Sequence, residues 1–158
     1  MIKKLQAVAV FVFVFSTMAW AQQDPFVGTW KQNLAKSVYD PASLTPKMGN
    51  TLKRDAVGTD GIKTTVDGMD SQGNKTHTEY TCKFDGKDCT VTGSPDYNTQ
   101  SIKKYGSNTW LIVNKKDGAV VRMLRGTVSN GGKTYTSITV GVDAKGNAFH
   151  NVAVYDKQ

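Results

Sequence analysis

Phe26-Val27-Gly28-Thr29-Trp30-Lys31 is the stretch from which the rest of the chain is read. Gly28 admits close approach of another backbone, and Trp30 brings a large apolar body with a single N–H donor. The segment is expected to be the first strand of a small closed barrel and the floor of one end. Downstream, no window shows sustained helical periodicity. Turn dipeptides recur instead about every ten residues, at Asp60-Gly61, Gln72-Gly73, Asp85-Gly86, Gly106-Ser107, Asp117-Gly118, Asn130-Gly131 and Lys145-Gly146. The runs between them are rich in Thr, Val, Tyr and Ile, the signature of an antiparallel meander rather than of strands alternating with helices.

Strands are predicted near 27–33, 50–57, 61–67, 74–84, 87–92, 98–105, 109–115, 119–129, 133–142 and 147–156. This count suits an all-β fold, a closed up-and-down antiparallel barrel of about 8–10 strands whose closure removes its edges. The long connection from Asn33 to Lys47 carries Pro41 and Pro46. It has room for a short helical turn but not for two well-formed helices. In 76–84, Thr78, Tyr80, Cys82 and Phe84 share one face, predicted inward, and His77, Glu79, Thr81 and Lys83 the other. In 133–140 both faces are half polar, and the inward one stays undecided. An interior with so many Thr, Ser, Tyr and Asn suits a wet cavity better than a dry core.

Ahead of the first strand, Lys3 and Lys4 precede an apolar run from Ala7 to Phe15, and Ala19-Trp20-Ala21 follows. This is the pattern of a secretory signal peptide over 1–21, cleaved after Ala21. The run is short for a bilayer span, so no stable membrane anchor is expected, an uncleaved anchor being the competing reading. Residues 22–158 form a single domain, and the protein is expected in the periplasm or secreted. Loss of the leader takes the formal charge from +7 to +5. The surplus lysines are dispersed, without a dense basic face interleaved with aromatics, so no nucleic-acid partner is expected. Their simplest role is to keep exposed strands soluble. A monomer is expected.

Cys82 and Cys89 flank Lys83-Phe84-Asp85-Gly86-Lys87-Asp88. With Asp85-Gly86 as a two-residue hairpin turn, Cys82 lies directly opposite Cys89, within the Cα separation that a disulfide accepts. An oxidising compartment favours that bond. Two free thiols inside a cavity is the alternative.

The opening segment, with Tyr39-Asp40 after it, resembles the first strand of the fatty-acid-binding proteins and the Gly-x-Trp strand of lipocalins, both calycins. Val152-Ala153-Val154-Tyr155-Asp156-Lys157 resembles the closing strand of the same proteins. The overall likeness is to exported bacterial lipocalin-like domain proteins. The resemblance implies a small hydrophobic or amphipathic ligand inside the barrel. In fatty-acid-binding proteins its carboxylate is held by an Arg and a Tyr two residues apart in the last strand, with another Arg two strands earlier. Tyr155 matches the tyrosine, but Ala153 stands in place of the arginine. Arg122 and Arg125 lie on the earlier strand at opposite parity, so one is expected in the cavity and the other outside.

Catalytic chemistry finds few candidates. The chain has two histidines, His77 and His150, a lone glutamate, and no nucleophile, phosphate-loop or metal motif. Asp60, Asp85 and Asp117 are turn formers. No enzyme activity, metal site or cofactor is expected, although a late-strand histidine such as His150 keeps a haem site as an alternative. Tyr80, Trp110, Tyr135 and Tyr155 are candidates to line a pocket with apolar faces and polar tips, and each equally suits ordinary core. Two functions follow: an exported carrier of a small hydrophobic molecule, or a calycin that binds a protein partner, such as a protease inhibitor. An open cavity favours the first, a filled interior the second.

Overall fold

A computed structural model describes residues 24–129, 131–143 and 145–158. The leader read over 1–21 lies outside the described residues. Eleven strands run through the described part: β1 (Gly28–Gln32), β2 (Val38–Asp40), β3 (Met48–Val57), β4 (Gly61–Met69), β5 (Lys75–Lys83), β6 (Asp85–Thr92), β7 (Thr99–Tyr105), β8 (Thr109–Lys116), β9 (Ala119–Val128), β10 (Thr134–Val142) and β11 (Ala148–Lys157). From β3 to β11 each strand pairs antiparallel with the next. β1 pairs with β3 through Trp30↔Leu52 and with β11 through Trp30↔Lys157, which closes ten strands into a barrel. The predicted class and nearly every predicted strand are found.

β2 is the strand that the sequence reading missed. It lies inside the Asn33–Lys47 connection, between short 3-10 turns at Leu34–Lys36 and Ala42–Leu44. Three residues are too few to show alternation, and the partner is remote: Val38, Tyr39 and Asp40 pair with Val152, Asn151 and His150 of β11. β2 thus takes up the edge of β11 that β1 leaves free. Buried Gln32 ties the junction together, donating to the Tyr39 hydroxyl and accepting from the Asn50 N–H at 3.0 Å.

The floor forms as expected, though Gly28 serves a different purpose. Its φ of +125° is a conformation that L side chains rarely adopt, and the group nearest a Cβ there is the flexible end of Lys157 rather than a backbone. Trp30 is fully buried and its indole N–H donates to the Phe26 carbonyl at 2.9 Å. Phe26, equally buried, stacks on Trp110 with ring centroids 3.8 Å apart. Ion pairing of Lys104 with Asp24 fastens the preceding segment. Lys157 lies over the Trp30 ring at 5.0 Å. Ile62, Ile102 and Val128 complete a dry layer at this end.

On β10 the undecided parity resolves with the polar face inward. Tyr135, Ser137 and Thr139 are buried, whereas Ile138 and Val140 are exposed. On β5, Tyr80 and Cys82 face in as predicted. The direct pairing of β5 with β6 is confined to Glu79↔Thr92 and Tyr80↔Val91. In that register Cys82 opposes Cys89, and the two form a disulfide with Cα atoms 5.4 Å apart. The covalent bond joins two strands where their ladder is shortest.

Trp30→Ala is expected to lower stability by about 3–5 kcal/mol, the range for emptying a large aromatic site. The urea unfolding midpoint measures it, and a near-neutral change would overturn the floor described here. Reduction of Cys82–Cys89 is expected to remove only about 2 kcal/mol or less, because the bridged residues are seven apart. Thiol titration of the unreduced, unfolded protein should find no reactive thiol.

Candidate functional site

Above the dry layer the barrel holds a cavity of about 650 Å³. Its open end is framed by the turns after β4, β6, β8 and β10 and by the 41–47 segment, represented by Ser71, Asp96, Lys116, Asp143 and Pro46. The opposite end, where the floor sits, carries the remaining turns. Leu52, Val66, Ile112, Leu124 and Phe149 supply apolar wall. Gln100, Asn114, Ser137 and Thr139 supply polar wall, and the Asn114 amide donates to the Gln100 side-chain oxygen at 3.0 Å. The interior is therefore dry below and mixed above, polar and apolar wall together, where the sequence suggested a wet cavity rather than a dry core.

The most unusual residue in the wall is Arg54, which the sequence reading did not single out. It lies on the inner face of β3, 2% exposed. Its guanidinium carbon is 4.3 Å from the Tyr135 ring centroid, 5.2 Å from Trp110 and 5.8 Å from Phe26. Aromatic faces attract a cation by their quadrupoles. The Tyr135 ring reaches this place over Gly126, where a Cβ would come within 2.8 Å of its edge and hydroxyl. The signal available in the sequence was parity: Arg54 shares a strand face with Leu52 and Asn50, and an inward Leu52 implies an inward arginine.

Of the sequence-predicted candidates, Tyr80, Tyr135, Tyr155 and Arg122 line the cavity. Trp110 does not: it is packed into the floor between Phe26 and Phe84. Arg125 does not either, because its parity turns it outward beside Ile138 and Leu111, and it is exposed. Arg122 sits toward the open end, its side chain 22% exposed and bonded to Asp96 at 2.8 Å. It also lies 4.7 Å over the Tyr97 ring. His150 is exposed on the outer face of β11, opposite Val140 and Asp40, and His77 is exposed and paired with Asp67 at 2.6 Å. Neither histidine reaches the cavity, so the haem reading has no histidine ligand there.

Burial pushes the phenols of Tyr155 and Tyr39 up and raises that of Tyr97 to about 12. Desolvation penalises the phenolate, so these groups remain neutral O–H donors throughout the physiological range. The cavity thus offers an apolar wall, a cation and neutral hydroxyls.

Comparison with solved structures finds this architecture in a zebrafish ileal bile acid-binding protein complexed with cholic acid. The TM-score is 0.59 at 15% identity, covering 85% of this chain and 99% of that one. A point mutant of the fluorescent protein UnaG matches with a TM-score of 0.52 at 13% identity, covering 85% and 96%. No family model and no curated protein matches the sequence. The likeness is one of fold, a closed antiparallel β-barrel.

Arg122→Ala and Arg125→Ala are expected to separate in stability. Losing the Asp96 bond and the Tyr97 stacking should cost about 1 kcal/mol, while the outward residue should change little, within about 0.5 kcal/mol. Thermal unfolding of the two variants measures the difference, and equal losses would contradict the inward placement of Arg122.

Proposed function

We propose that this protein is an exported, non-enzymatic carrier that holds a small hydrophobic or amphipathic molecule in its barrel. The observation that carries this reading is the cavity of about 650 Å³ open at one end and sealed at the other by Phe26, Trp30 and Trp110. Small-molecule sites are concave and mostly apolar, with a few placed polar groups, and commonly enclose some hundreds of cubic ångström. An open cavity favours a carrier over a protein that works through its outer surface. The structural neighbour crystallised with cholic acid has the same barrel, which supports the reading at the level of fold. Carriage of a ligand outside the cytoplasm also agrees with the leader pattern at 1–21 and with the Cys82–Cys89 bond.

The mature protein is expected to bind a neutral environment-sensitive probe such as Nile red, with emission rising and shifting to the blue. Long-chain lipids, retinoids or quinones that share the cavity should displace it. Failure of every such probe to bind would overturn the carrier reading. Native mass spectrometry of protein purified from its own host is expected to show a retained small molecule on a monomer.

A further inference from the structure

Arg54 is a buried charge with no counter-charge from the protein. All 13 acidic residues of the chain lie among the described residues, and none forms an ion pair with it. Its Nε and Nη1 are buried without a hydrogen-bond partner. The deficit is local. Five buried side-chain polar atoms lack a partner among the described residues: two belong to Arg54, one is Oγ1 of Thr64, its cross-strand neighbour, and one is Nε1 of Trp110, whose ring it faces. The fifth is Nε of Arg122.

The three nitrogens at Arg54 and Trp110 are donors only, and the Thr64 hydroxyl is able to donate, so what the site lacks is an acceptor. Stacking on aromatic rings offsets part of the desolvation of a guanidinium but satisfies none of its N–H groups. Arg122 is a different case, because Asp96 already bonds it and it reaches solvent. The uncompensated charge therefore lies at the base of the cavity, not at its mouth. Along their strands Val66, Ile112 and Leu124 stand one inward-facing position nearer the open end than Thr64, Trp110 and Gly126. A molecule entering from that end passes these apolar side chains, with the polar ones of Gln100, Asn114 and Thr139 beside them, before it reaches the cation.

We propose that the ligand is an organic anion, an amphiphile whose carboxylate or similar oxyanion head sits against Arg54 at the base of the barrel with its apolar part toward the open end. This rests on the carrier reading above and narrows its ligand class. The head accepts from the free guanidinium N–H groups, and the hydroxyls of Tyr80, Tyr135 and Tyr155 are placed in the same wall. Charge-assisted bonds of this kind are the strong ones, and a planar guanidinium matches an oxyanion in geometry.

Calorimetric titration of the mature protein with dodecanoate and with 1-dodecanol at pH 8 tests the assignment, since the two share a chain and differ in the head. Dodecanoate is expected to bind at least about tenfold more tightly, the equivalent of about 1.4 kcal/mol. In Arg54→Met the two affinities should converge, and Arg54→Lys should restore part of the preference. Equal affinities in the unmutated protein would overturn the anion assignment and leave the carrier intact. Binding of neither, where Nile red still binds, would overturn the anion assignment alone, and where no probe binds it would overturn both. A preference retained by Arg54→Met would place the anchor elsewhere and overturn the role of Arg54. Because Arg54→Met removes a buried packing group, a second readout uses the unmutated protein. The Arg54 Nε–H resonance should shift on addition of dodecanoate and stay in place with 1-dodecanol, and an unmoved resonance with dodecanoate bound would overturn the contact.

Discussion

The hydrogen bond from the Trp30 indole to the Phe26 carbonyl, with Phe26 laid flat on Trp110, is the constraint on which the rest of the barrel rests. β1 is only five residues long and must serve two partners at once. Its register against β3 and β11 fixes where the last strand meets the first, and Trp30 occupies the shared row with Leu52 and Lys157. A one-residue slip would turn Trp30 outward and Thr29 inward, opening the floor. The indole therefore sets closure, register and the dry end together, and the cavity is what remains of the interior beyond it.

That division into a dry floor and an open cavity explains why Arg54 is tolerable where it is. A guanidinium deep in hydrocarbon is penalised by several kcal/mol. At the boundary layer it has aromatic faces on the floor side and the cavity on the other. The three rings near it belong to the N-terminal segment, β8 and β10, elements distant in sequence that only the closed barrel brings together. Removing the floor would also remove the environment of the cation, which couples the stability of Trp30 to the properties of the site.

Much of the fold was legible because barrels write their structure locally. Turn dipeptides mark the hairpins, and Asp85-Gly86 sets a register that can be extended to Cys82 and Cys89. What could not be read depended on remote partners. β2 exists because β11 has a free edge at His150–Val152, a fact absent from residues 38–40 themselves. The β10 parity was hidden because Ile138 and Val140 point outward while Ser137 and Thr139 point in, which reverses the usual rule. The three cavity tyrosines were visible as aromatics in strands, but Trp110 was indistinguishable from them until the floor took it. Arg54 stayed hidden because the resemblance points to arginines on later strands, and β3 carries none of its motifs.

Arg54 and Ala153 belong to one arrangement. The resemblance implies an arginine two residues before the last-strand tyrosine, and that inward position is occupied by alanine, buried against the cavity. Tyr155 is retained there and opposes Tyr135 directly across β10 and β11. Tyr135 in turn lies under the Arg54 guanidinium. A cation has thus been supplied from β3 to the same tyrosine pair that an arginine at 153 would have flanked from within β11. Two arginines in one unpaired environment would repel, with no carboxylate paired to Arg54 to separate them. The small residue at 153 therefore leaves Arg54 as the positive charge at the tyrosine pair, reaching it from β3.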